Sequence, residues 1–168
     1  MLELIARIAI ALAIKNPYFH LKHADGSYYM ERYWLIGPNF TGYTVRLHIG
    51  HTPDLDRALH DHPWGFVSVI LRGWYHELRP LVVDPCFSED GTNEIATVTV
   101  REPGSIARRL ATDRHRISVV APDGYVSLFI AGPKRHWWGF FTPKGKVHWQ
   151  DYESVHNKSA ISDHREAA

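Results

Sequence analysis

The 168-residue sequence predicts one all-β domain, a sandwich or barrel, with a helix at its N-terminal end. Three observations carry that expectation. Short apolar or alternating runs follow one another from Tyr28 onward, Gly, Pro and Asp punctuate them, and an apolar stripe at helical spacing precedes them all.

The stripe lies in "MLELIARIAIALAI", where Leu4, Ile8 and Leu12, with Ile5 and Ala9, recur on one helical face. The run is too short to span a bilayer, Glu3 stands where a signal peptide carries positive charge, and no small-residue cleavage site follows. An amphipathic helix docked by that stripe on the core or on a partner subunit is expected. The strand candidates then come in order: "YYMERYWLIG", "YTVRLHIG", "WGFVSVIL", "IATVTVRE", "HRISVV", "YVSLFIAG" and "HWWGFF". Turns are expected at Gly37-Pro38, Pro103-Gly104, Pro122-Asp123-Gly124 and Pro143-Lys144-Gly145. The barrel core is placed at about residues 28–150, and the polar stretch 151–168 is read as a surface tail of the same domain. Loops near 50–59 and 84–93 are large enough to serve function.

Composition removes several function classes. With 45% hydrophobic and 22% charged residues the chain reads as ordinary globular protein, and a net charge of +1 gives no field for nucleic acid. A local basic patch at Arg108, Arg109, Arg114 and Arg116 is the exception. The lone Cys86 makes no internal disulfide, which fits a reducing cytoplasm.

The chemistry lies in "HDHPWGFVSVILRG", residues 60–73. In extended chain alternate side chains share a face, so His60 and His62 project together and Asp61 turns away. Two neutral imidazoles side by side make half of a metal chelate. The bare pattern equally describes two hydrogen-bonded histidines in a chain that has 12.

The surrounding residues resemble the first conserved motif of the cupin superfamily, in which His-x-His leads into a buried strand and a turn glycine, here Gly73. "EPGSIARRLATDRHRISVV" is similar to the second motif, with Pro103-Gly104 as its turn and His115 opening a strand. The resemblance covers roughly residues 43–142. It implies a double-stranded β-helix of jelly-roll type and a three-histidine site made by His60, His62 and His115. More narrowly, "LHDHPWGFVSVILRGWYHE", "HRISVV" and "SLFIAGPKRHWWGF" resemble the cysteine-dioxygenase-like branch and bacterial and phage cupins of the same pattern, where three histidines hold Fe(II). The chain departs from these patterns. The acidic ligand of the general motif falls at Phe66 or Val67, and the gap from Gly104 to His115 is longer than the second motif expects. In the branch's Ser-x-His-x-Tyr element Ser127 is kept, while Phe129 and Ala131 replace histidine and tyrosine. The resemblance therefore implies the fold and the metal site but not thiol oxidation.

Other residues are read beside that site. Arg46 and His48 share one face of "YTVRLHIG"; in the cavity Arg46 would bind a substrate carboxylate and His48 would serve as an acid or base or a fourth ligand, and on the outer face both would be solvated. Trp64, Phe66 and Ser127 are expected to line the substrate cavity. Arg57 reads as a surface salt-bridge partner, Glu77 as a solvated strand-end carboxylate, and His136 as a ligand only if its strand turns it inward. The aromatic segment "HWWGFFTPKGKVHW" reads as core or interface. Together these expectations describe a metal-dependent oxidoreductase, an Fe(II) dioxygenase of a small organic molecule, with Zn, Mn or Ni as the other metals. A non-catalytic metal- or ligand-binding cupin and a Zn-dependent hydrolytic one are the competing readings. The expected partners are a small-molecule substrate and a second copy in a homodimer, with neither nucleic acid nor membrane.

Overall fold

The computed structural model describes residues 1–23, 26–54, 58–81 and 96–156, with side chains described as far as Tyr152. Arg57, Cys86 and the 84–93 loop lie outside the described residues.

The helix α1 (Leu2–Ala13) forms where expected, but it docks by its other face. Ala6 and Ala13 are fully buried, and with Leu2, Ala9 and Ile10 they pack on Tyr33, Leu47, Leu71 and Val126. Leu4, Ile5, Ile8 and Leu12, the larger side chains of the expected docking stripe, point away from the sheet. Small alanines let the helix axis come close to the strands, and close packing rewards that approach more than the bulk of leucine or isoleucine does.

The main sheet is antiparallel and runs β1-β2-β3-β7-β4-β5, with β6 also paired to β4. Its strands are β1 (Leu21–Lys22), β2 (Tyr28–Ile36), β3 (Thr44–Gly50), β4 (Phe66–Pro80), β5 (Ala96–Arg101), β6 (Ile106–Arg109) and β7 (Arg116–Ala131). Two runs expected to be separate strands, "HRISVV" and "YVSLFIAG", are one strand, because the Pro122-Asp123-Gly124 signal bends β7 instead of ending it. Gly124 has φ +74° opposite Gly73 of β4 at φ +68°, and a Cβ on Gly73 would lie 2.0 Å from the Gly124 carbonyl oxygen. Both strands turn this corner only because neither residue has a side chain.

Alternation divides the sheet into two environments. Leu47 faces α1, whereas Arg46 and His48 face the interior with Phe66, Phe129 and Ser127, all of them buried. A hairpin of β8 (Gly139–Thr142) and β9 (Gly145–His148), turning at the expected Pro143-Lys144-Gly145, lies across the open side of the interior. Residues 58–62 tie the hairpin to the main sheet, since His60 bridges both His115 and Phe140. The stretch read as a tail begins inside a second helix, α2 (Trp149–His156). Its Trp149 and Tyr152 bury against Phe140 and Ala58, so two aromatics override a weak helical period.

Candidate metal centre

His60 and His62 precede β4 instead of standing on it, but the chain there is extended and the expected alternation holds. His60 exchanges two backbone hydrogen bonds with His115 at 3.0 Å, Asp61 N–H donates to the Gly139 carbonyl, and His62 N–H to the Ala111 carbonyl. Asp61, turned to the other side, is 1% exposed; it accepts the Gly139 N–H at 2.9 Å and a proton of Lys146 Nζ at 2.6 Å. The two histidines are thus presented from a segment pinned on both flanks. His136 is no ligand: its Nε2 lies 2.8 Å from the His62 carbonyl oxygen, which it supports from behind.

The interior receives His60, His62 and His115 together. Their ligand nitrogens all lie within 4.8 Å of one another, and their ring centroids stand 5.2, 5.1 and 5.0 Å apart. His62 Nε2 and His115 Nε2 approach to 2.8 Å. Two imidazoles bound to one cation at about 2.1 Å and at right angles place their nitrogens about 3 Å apart, so the pair has the spacing of neighbouring ligands. Burial holds His62 well below the usual imidazole range, and the neighbouring His115 and His60 add to the effect. His60 is lowered to about 4 by burial, against the opposing pull of Asp54. Neutral imidazoles keep a lone pair for a metal. His60 Nδ1, moreover, meets no hydrogen-bond partner among the described residues, an open position that a buried polar atom rarely keeps. This donor set fits a divalent cation of the iron, zinc, nickel or copper kind and has no carboxylate to favour magnesium or calcium.

Around the triad the wall is aromatic. Phe66 lies 5.0 Å from the His62 ring and stacks on Phe129 at 4.6 Å; Trp138 and Phe140 flank His60 at 6.1 and 5.6 Å. His48 stacks on Phe129 at 4.5 Å and its Nε2 is buried without a hydrogen-bond partner among the described residues. It lies outside the ligand cluster, so the expected fourth ligand is instead a neutral imidazole facing the same interior, its pKa pushed well down by burial and by Arg32 and Arg46. Ser127 is its register partner across β3 and β7. Arg46 is 5% exposed, and its guanidinium sits 4.8, 4.9 and 4.6 Å from the rings of Tyr18, Trp34 and Trp64. Trp64 is partly buried and packs against the Phe66, Phe129 and Ala131 cluster beside Arg46.

Two expectations are corrected. Glu77 is not solvated: it is 1% exposed, with Arg109 Nε donating to Oε1 at 3.0 Å and Arg109 Nη2 to Oε2 at 2.5 Å, and Arg101 Nε to Oε2 at 2.8 Å. Burial pushes its carboxyl up, but His115 and Arg109 outweigh that and hold it at about 2. The basic patch also dissolves, since Arg109 turns inward to Glu77 and Arg114 lies over the Phe141 ring at 4.8 Å. The alternation Tyr75, Glu77 was a signal for an inward carboxylate. It was hidden because bulges in β4 between Ile70/Arg72 and Gly73/Tyr75 change which parity faces inward.

No family model matches the chain, and no curated protein matches it. Solved structures share its fold. HppE in its Fe(II) form is similar at 12% identity with a TM-score of 0.50, over 70% of this chain and 57% of that one. An RmlC-like cupin from Ralstonia eutropha JMP134 aligns at 12% identity over 90% of each chain with a TM-score of 0.49. A cupin 2 conserved barrel domain protein from Rhodopseudomonas palustris aligns at 14%, over 77% of this chain and 78% of that one, with a TM-score of 0.49. At such identity the likeness concerns the fold. Among the described residues no helix is long and apolar enough to cross a membrane. An antiparallel sheet curled over an interior, capped by a hairpin and carrying its histidines where the two meet, is a cupin-type β-barrel, and that is the fold of this chain.

Proposed function

We propose that the chain is a mononuclear metal enzyme, an Fe(II) dioxygenase of a small organic acid, close to the cysteine-dioxygenase-like cupins in ligand set but not in substrate. The observation that carries the reading is the convergence of His60, His62 and His115, three imidazoles from two distant segments, on one point of the interior. Three imidazoles would leave a cation with its charge and with open positions, and bound Fe(II) would supply the redox chemistry of dioxygen there.

The chain's own residues have definable tasks. Arg46 binds the substrate carboxylate: it is a buried cation among rings, and its Nε has no hydrogen-bond acceptor among the described residues. His48 Nε2, neutral and without a hydrogen-bond partner among the described residues, accepts a substrate proton. Phe66 and Phe129 exclude water from the triad, and Ser127 lies beside His48. Phe129 and Ala131 stand where the thiol dioxygenases carry histidine and tyrosine, which favours a substrate other than a thiol. The same substitutions favour the competing reading of a non-catalytic ligand-binding cupin, and zinc in the triad would favour hydrolysis.

Oxygen uptake by Fe(II)-loaded protein, measured against panels of thiols, diketones and phenols with and without a carboxylate, tests the proposal. Uptake with a carboxylate-bearing non-thiol, weakened in KM by Arg46→Met and in kcat by His48→Gln, is the expected result. Iron-loaded protein that consumes no oxygen with any of them refutes the enzyme and leaves the binding module.

A further inference from the structure

Glu77 belongs to no ligand set, and its burial has to be explained. A carboxylate withdrawn from water near the C-terminal end of β4 costs several kcal/mol unless it is fully paired, and an apolar residue would pack there at no such cost. The chain meets the requirement with two arginines from different strands, Arg101 of β5 and Arg109 of β6. A brace between strands needs one. Glu77 Oε1 accepts from Arg109 Nε at 3.0 Å and also lies 3.1 Å from His115 Nδ1, a buried nitrogen that makes no well-aligned hydrogen bond among the described residues and has this oxygen as its facing group.

The two nitrogens of His115 therefore face opposite groups: Nδ1 faces a carboxylate oxygen, and Nε2 faces His62 Nε2 at 2.8 Å. A neutral imidazole has one N–H, and an ionised carboxylate only accepts. We propose that Glu77, clamped by Arg101 and Arg109, is the positioning residue of the metal centre, holding the His115 proton on Nδ1 so that the Nε2 lone pair points at the cation. The inference rests on the three-histidine reading. Carboxylates behind metal-binding histidines fix ring tautomer and orientation in this way, and their loss typically lowers metal affinity about 10- to 100-fold. Here the carboxylate is itself oriented, so Arg101 and Arg109 act on the metal through two intermediates. Arg109 also donates from Nη1 to its neighbour's carbonyl, Arg108 O, at 2.7 Å, which limits its rotation.

Two measurements on the full chain test this. In metal-free wild-type protein, nitrogen-15 NMR of the histidine rings reads the His115 tautomer directly, and protonated Nδ1 with bare Nε2 is expected; the Nε2–H form overturns the proposal. In Glu77→Gln, where the amide meets the same arginines without a charge, Co(II) titration followed by visible absorption is expected to show 10- to 100-fold weaker binding and a mixed His115 tautomer. A variant that loses thermal stability but keeps both the wild-type Co(II) affinity and the tautomer shows Glu77 to be a strand brace and nothing more. The wild-type NMR result stands even if Glu77→Gln does not fold. A wild-type protein that binds no metal refutes the centre and the role of Glu77 with it, whereas a wild type that binds metal but carries the Nε2–H ring when metal-free overturns the role of Glu77 alone.

Discussion

Removing Lys146 should cost more than removing the charge it neutralises. Asp61 is 1% exposed and has two donors, Gly139 N–H and Lys146 Nζ, whereas the Lys146 side chain is 19% exposed and has two other favourable neighbours, the Trp137 carbonyl at 3.0 Å and the Trp137 ring at 4.1 Å. Lys146→Met leaves a buried carboxylate with one hydrogen bond, from the Gly139 N–H, and only the His136 Nε2 at 3.7 Å besides. Loss of one partner from a buried pair typically costs about 3 to 5 kcal/mol, and the surviving bond puts this case near 3. Asp61→Asn keeps the Gly139 bond and lets Lys146 turn to water, for about 1 to 2 kcal/mol. At about 2 to 4 °C per kcal/mol for a domain of this length, the two variants lower Tm by roughly 6 to 12 °C and 2 to 8 °C. The double variant should lie above Lys146→Met, since it removes the stranded charge. Urea unfolding followed by circular dichroism measures all four proteins. Equal costs for the two single variants, or a double variant equal to their sum, would refute the claim that Asp61 is a desolvated charge bracing the His60–His62 segment.

The remaining predictions concern the same elements. Metal-free protein should lose stability as pH falls from about 6.5 toward 4, because His60, His62 and His48 stay neutral in the fold while the unfolded chain takes up their protons; each contributes about 1.4 kcal/mol per pH unit. The sign follows from folded pKa values below unfolded ones: the stabilisation is complete above 6.5 and is lost as pH drops through the folded values, and a flat profile in urea titrations at several pH values contradicts it. Phe129→Ala, opening a cavity beside Phe66 and His48, should cost about 3 to 5 kcal/mol in the same assay. In α1, Ala6→Leu should destabilise by about 1 to 3 kcal/mol, whereas Ile8→Gln should stay within about 0.5. The reverse order would restore the docking face expected from the stripe.

The fold class, the turn at Pro143-Lys144-Gly145 and the His60–His62 pair with Asp61 turned away were legible, because each depends on local chain geometry. The third histidine of the cluster was legible only through the motif resemblance: nothing near His115 says that it meets His60 across the barrel, a contact of 55 residues' separation in a bridge made by non-local pairing. In α1 the stripe was legible but not which side meets the sheet: periodicity shows which residues share a side, and here the alanines took the sheet and left the stripe outward. Glu77 was missed for a related reason. Alternation predicts facing only within one register, and the bulges of β4 between Ile70 and Tyr75 change it. For Arg46, alternation with His48 left the inner and the outer face equally open, and the structure turns it inward. The cage of Tyr18, Trp34 and Trp64 around it comes from three separate segments and has no local signature.

Metal content measured by elemental analysis after purification without chelators, and again after equilibrium dialysis against Fe(II), addresses the three-imidazole centre most directly. One bound ion per wild-type chain, absent from His62→Ala and His115→Ala proteins that retain the wild-type circular dichroism spectrum, is the predicted result. Wild-type protein that takes up no ion, or variants that keep theirs, would contradict it.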